Sequence, residues 1–224
     1  MNGLYVVFEG NDGAGKTTTM EAVSIEMKKR YPGFDVQLTH QPGSTPLGKH
    51  IRKLVKYPEE ICKDINIDDL SRQMLYMVDT VNFIKTILEP SLSQNKSIFS
   101  DRSTFISAIV YGLADGLDLN TITKLFEVIT PPKMDKLYIL QCPISVSKER
   151  IVTRGKPDHY DRKPEDLSQK RESLYQNLIT NSERALIVSK YVSLNDIKYI
   201  DTSLPLDQVV KIIADDLSKL IQFK

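Results

Sequence analysis

Gly10-Asn11-Asp12-Gly13-Ala14-Gly15-Lys16-Thr17 fits the phosphate-loop pattern G-x-x-x-x-G-K-[ST]. It follows the apolar run Leu4-Tyr5-Val6-Val7-Phe8 and leads into a helical pattern from Thr17 to Arg30, so strand, loop and helix come in the order the motif requires. Chemistry explains the spacing. Glycines let successive backbone N–H groups curl around phosphate oxygens, and the following helix turns its partial positive charge toward them. This reading assigns Gly10, Asn11, Asp12, Gly13, Ala14, Gly15, Lys16, Thr17 and Thr18 to a nucleoside triphosphate, with Lys16 reaching the β/γ-phosphates and the Thr17 hydroxyl on Mg²⁺.

Working outward, Tyr31-Pro32-Gly33 stops the first helix and Val36-Gln37-Leu38-Thr39 reads as a second strand, which makes a parallel βαβ unit. The turn His40 to Thr45 leads into a helix with Leu47, Ile51, Leu54 and Val55 on one face. Residues 57–68 read as an irregular connector. A long periodic segment then runs from Asp68 to Leu92, capped by Asp68 or Asp69, interrupted near Pro90, with Leu75, Val78, Val81 and Leu88 at core positions.

Ser97 to Ser100 is a brief buried strand ending at Asp101-Arg102, where a parallel sheet presents side chains beside the phosphate loop. Helical patches at 104–113 and 120–129, a strand at 137–140 and a helix at 145–154 follow. The polar stretch 155–164 suits a flap. A long helix at 165–189, a strand at Tyr199-Ile200 and a helix at 206–221 complete the pattern. The expected architecture is α/β, a five-stranded parallel sheet with helices on both faces, forming one domain over 1–224 with a basic lid at about 150–164.

Composition narrows the partners. A formal net charge of +1 gives no excess that would point to nucleic acid or a membrane surface. Cys62 and Cys142 stand far apart without metal spacing, so free thiols are expected. No apolar run approaches a membrane span and the first strand starts without a leader, so the expected location is the cytoplasm.

Phosphate loops serve many reactions, and the guanine-reading N-K-x-D sequence is missing. Four stretches instead resemble the thymidylate kinases. Phe8 to Thr17 resembles their phosphate loop with its acidic third position. Gln41-Pro42-Gly43-Ser44-Thr45-Pro46-Leu47-Gly48 with Ile51-Arg52 is similar to E-P-G-G-T-x-L-x-x-x-x-R. Glu89 to Leu92 with Lys96 to Arg102 resembles P-x-L…G-K-x-V-I-x-D-R, and Pro132 to Leu140 with Glu149-Arg150 and Arg154-Gly155 resembles P-D-L-x-L-Y-L and the flap entry.

The resemblance implies a P-loop kinase fold, transfer of the γ-phosphoryl of ATP to dTMP, Mg²⁺ and a homodimer binding small-molecule nucleotides. By position it makes Lys16, Arg102, Asp12, Arg154 and Arg162 catalytic, with the last two supplying from the flap the cation that Gly13-Ala14 omits. Arg150 is then expected at the adenine, and Thr17 with Asp101 at the metal. Asp12, Gln41, Arg52, Tyr76, Thr80, Arg102, Ser107 and Tyr111 are expected at the acceptor. Asp201 to Pro205 resembles the loop beside the donor adenine.

Base-reading positions drift. The thymine-reading arginine falls on Thr80, the stacking phenylalanine on Tyr76, and the aromatic screening the sugar on Val110, which predicts a broadened acceptor range that includes dUMP, a modified pyrimidine or other dNMPs. A deoxynucleoside kinase, which shares the loop and the D/E-R-S motif, and a non-catalytic nucleotide-binding protein are the competing readings.

Overall fold

The computed structural model describes residues 3–155 and 165–223. In chain order the elements are β1 (Tyr5–Gly10), α1 (Lys16–Arg30), β2 (Val36–His40), α2 (Pro46–Lys56), α3 (Asp69–Phe83), α4 (Glu89–Ser93), β3 (Ser97–Asp101), α5 (Thr104–Ala114), α6 (Leu119–Phe126), β4 (Lys136–Gln141), α7 (Ile144–Arg154), α8 (Glu165–Gln176), α9 (Ser182–Val188), β5 (Ile197–Asp201) and α10 (Leu206–Phe223). The five strands form a parallel sheet in the order β2-β3-β1-β4-β5, as expected.

Strand alternation divides the core into two layers. Val6, Phe8, Phe99, Tyr138 and Leu140 pack against Met20, Val23 and Met27 of α1 and Val209, Ile213 and Leu217 of α10. On the opposite face Tyr5, Val7, Ile98, Leu137 and Ile139 meet α3, α5, α6 and α8 through Phe83, Ile106, Ile109, Ile122 and Tyr175. β1 is central and buried along its whole length, so its C-terminal end carries the phosphate loop into the middle of the sheet's edge.

Several sequence expectations need correction. Val78 and Val81 are 47% and 42% exposed; Leu88 is in the core as expected, and Tyr76, Phe83 and Ile84 join it there in place of the two valines. Leu47 is also exposed, while Ile51 and Val55 are buried. The 68–92 segment starts at the Asp68 cap, which accepts from Ser71 N, but passes through a wider π turn at Ile84–Leu88 before α4. That turn rotates the later residues relative to α3, so no single 3.6-residue stripe describes both halves. The segment 165–189 is two helices, because Asn181 accepts from Arg184 N and caps α9 as a new start.

Candidate active site

Gly13 has φ +78, and a Cβ there would lie 2.3 Å from the Ser147 carbonyl oxygen of α7, so a side chain would displace the loop. The helix that follows carries no acidic residue of its own in its first turn to oppose an anion at its amide end. Lys16 Nζ lies beneath the loop and donates to the carbonyls of Gly10 (3.1 Å) and Asn11 (2.8 Å). Burial, reinforced by the Arg102 charge, lowers its pKa to about 8.

Asp101 ends β3 one strand away, and its Oδ2 accepts from Thr17 Oγ1 at 2.5 Å. These hard oxygens suit Mg²⁺, which is commonly held by one or two protein groups plus nucleotide phosphates. Their chemistry fits the ion, although the described residues contain no group of three or more metal-binding side chains.

Arg102 follows Asp101 with φ +76, an uncommon conformation for a residue with a side chain, and a dense set of contacts holds it there. Nη1 donates to the Gly10 carbonyl and Tyr175 Oη, both at 3.1 Å, and lies 3.4 Å from Glu9 Oε2. Nη2 donates to Asp12 Oδ1 and Tyr111 Oη, both at 2.7 Å. Tyr111 in turn donates to Asp12 Oδ2 at 3.0 Å. Burial opposes the Arg102 charge, yet Tyr111, Asp12, Tyr175 and Glu9 hold its pKa well above the ordinary value. Asp12 feels the reverse balance: burial would raise its pKa, but Arg102 and Lys16 keep it well below the usual carboxylate range.

A single cavity of about 680 Å³ collects most of the expected site. Asp12, Gly13, Gly15, Lys16, Thr17, Thr18, Gln41, Arg52, Tyr76, Asp101, Arg102, Ser107, Tyr111 and Arg150 all line it. Gln41 Oε1 accepts from Thr104 N at 3.0 Å, which turns that side chain toward the start of α5. Arg150 donates to the carbonyls of Thr202 (2.8 Å) and Gly13 (3.4 Å), and Thr202 and Leu204 line the same cavity.

Other expectations are not gathered there. Thr80 is fully buried, its hydroxyl donates to the Tyr76 carbonyl, and it is not part of the cavity wall. Val110 is fully buried as well. Gly10, Asn11 and Ala14 belong to the loop but do not line the cavity; Asn11 Nδ2 instead bonds the carbonyl and hydroxyl of Ser168 on α8, each at 3.1 Å. The Arg154 side chain and all of Arg162 lie outside the described residues.

Sequence reasoning missed Glu9, Tyr175 and Arg171. Glu9 is fully buried and accepts from Ser103 N, Ser107 Oγ and Tyr175 Oη at 2.7 to 2.9 Å. A charge closing an otherwise apolar buried strand was the available signal. Tyr175 lies 166 residues from Glu9, and Arg171, 4.5 Å over the Tyr111 ring, is also remote; no local pattern marks either one.

The thymidylate kinase family model matches residues 8–211. A probable thymidylate kinase of Pyrococcus horikoshii is 32% identical over 197 residues, covering 88% of this chain and 93% of its own length. The thymidylate kinase of Leuconostoc mesenteroides is 29% identical, covering 93% and 97%. A crystal structure of thymidylate kinase from Ehrlichia chaffeensis, 19% identical, superposes with a TM-score of 0.70 over 97% of this chain and 99% of that one, which speaks to the fold. Family model, relatives and a phosphate loop joined to a D-R arginine in one cavity agree that the chain belongs to the thymidylate kinase family.

Proposed function

We propose that the protein transfers the γ-phosphoryl group of ATP to dTMP, giving dTDP and ADP. The observation that carries this reading is the joining of the phosphate loop and the Arg52–Lys56–Tyr76 wall in one cavity, with room and positive charge for two phosphorylated ligands. An oxygen of the acceptor's phosphate attacks the γ-phosphorus and the bond to the β,γ-bridging oxygen breaks, so ADP leaves with that oxygen. Protein groups have little covalent work to do here; positioning and cancelling charge supply the rate.

Lys16, with Thr17 to Thr18 at the helix start, would hold the donor phosphates, and Arg102 would meet the transferred group. Asp12 keeps Arg102 aimed and faces the acceptor sugar. Arg52 would bind the acceptor phosphate through a planar fork. Thr17 and Asp101 would hold Mg²⁺, which would neutralise charge on the phosphates. Arg150 would lie at the adenine, and Arg154 and Arg162 of the 150–164 flap would add cations on closure.

Acceptor choice is broadened in this reading. The α3 arginine nearest in sequence, Arg72, gives its guanidinium to the carbonyls of Val55 and Ile67, so it does not replace the cation missing at Thr80. Gln41, Tyr76, Ser107 and Tyr111 would then read sugar and base with neutral groups. The whole 1–224 stretch would act as one catalytic domain, in the cytoplasm, where its nucleotides are. No helix of the described residues is long and apolar enough to cross a membrane. Homodimerisation would cover Leu70, Met74, Val78 and Val81, which leave one face of α3 apolar and 37–47% exposed.

Steady-state ADP release against a panel of dNMPs and thymidine tests the proposal. Turnover of dTMP is expected together with measurable turnover of at least one other dNMP. A preference for dTMP beyond about a thousandfold would sink the broadened range. Thymidine turnover in place of dTMP would sink the monophosphate reading, and ATP binding without transfer to any acceptor would sink the kinase itself.

A further inference from the structure

Asp79 is a fully buried carboxylate on α3 with a single described hydrogen bond. Its Oδ1 accepts from Gly43 N at 3.2 Å, and its Oδ2 is buried without a hydrogen-bond partner. An anion in such a place costs stability, so packing alone does not explain it. The neighbouring helix makes room for it: a Cβ on Gly48 of α2 would lie 2.0 Å from Asp79 Oδ1.

The amide it holds belongs to the peptide joining Pro42 to Gly43, and the carbonyl of that same peptide accepts from Arg52 Nη1 at 2.9 Å. A peptide unit is planar, with N–H and C=O directed to opposite sides, so fixing one fixes the other. Asp79 thus acts on Arg52 through the intervening peptide.

We propose that Asp79 is a positioning residue for the acceptor: by holding the Gly43 N–H it fixes the Pro42–Gly43 peptide, whose carbonyl steadies the Arg52 guanidinium for an acceptor phosphate monoester. This rests on the kinase reading above, in which Arg52 binds that phosphate. Arg52 and Pro42 both line the cavity, whereas Asp79 does not, so its effect must pass through them.

The test compares wild type with D79A and D79N. D79A is expected to raise KM for dTMP about tenfold or more, with kcat and KM for ATP within about threefold, because a charge-assisted hydrogen bond is left without its orienting support. Affinity for thymidine, which lacks the phosphate, should stay within about twofold. D79N should recover most of the loss, since its side-chain carbonyl can accept from Gly43 N–H. If D79A does not fold, G48A displaces the carboxylate and should give the same acceptor-specific rise. An unchanged dTMP KM, equal losses for dTMP and thymidine, or a D79N as impaired as D79A would overturn the relay alone. A wild type that turns over no dNMP would overturn the kinase reading and the relay with it.

Discussion

Replacing Asp79 by asparagine should change how stability depends on pH. Burial raises the Asp79 pKa from 3.8 to about 6, against the opposing pull of the Gly43 amide and Arg52. Well below pH 4 the carboxyl is neutral whether folded or unfolded and contributes nothing. As pH rises toward 6 the unfolded chain ionises while the native one keeps its proton, so the native state loses ground. Well above pH 6 the penalty is complete, and the rise from 3.8 to about 6 amounts to roughly 3 kcal/mol. Asparagine carries no such penalty. Its amide nitrogen would occupy the unpartnered side at a cost of about 1–3 kcal/mol, but that cost does not vary with pH. Urea unfolding of both proteins at pH 4, 5, 6 and 7, at one fixed protein concentration, should therefore show D79N gaining about 2 kcal/mol on wild type between the lowest and highest pH. Two parallel curves would refute the burial of an ionisable group at that place.

Tyr175→Phe removes a hydroxyl that donates to buried Glu9 at 2.7 Å and accepts from Arg102, and should lower stability by about 1.5–3 kcal/mol in urea unfolding; an unchanged midpoint would contradict the network. Gly13→Ala forces a Cβ against the Ser147 carbonyl and should weaken ATP binding about tenfold or more by calorimetry, with native affinity the disproving result. Lys16, at about 8, is half charged at pH 8, and nucleotide phosphates favour its charged form. ATP binding at pH 8 should take up about half a proton, seen as a binding heat that varies with buffer ionisation enthalpy. Buffer-independent heats at pH 8 would remove Lys16 from that role.

Features set by neighbours in sequence were legible. The strand, phosphate loop and α1 follow from local chemistry, and Asp68 and Thr45 cap their helices as short polar residues before apolar periods do. Val78 and Val81 were misplaced because periodicity identifies an apolar stripe without saying what covers it. Among the expected site residues, Lys16 came from the phosphate-loop spacing and Arg52, Asp101 and Arg102 from the family resemblance, and all four line one cavity. Tyr175, Arg171 and the Asp79 carboxylate act across folded distance. Asp79 stands one residue before Thr80 and went unread, because its significance lies in a peptide 36 residues away. Thr80 shows the converse: a motif position carried it to the acceptor site, while its hydroxyl turned back onto its own helix.

The central place of β1 has a consequence for synthesis on the ribosome. Its two neighbours in the sheet, β3 and β4, end at Asp101 and Gln141, so β1 is flanked on both edges only after about 130 more residues have been added. At ordinary translation rates this takes roughly 7–25 s, during which Tyr5-Val6-Val7-Phe8 has no complete shelter from water or from other chains. Glu9 waits longer still, until Tyr175 arrives from α8. The nascent chain therefore carries its nucleotide-binding motif well before the buried support beneath that motif can assemble.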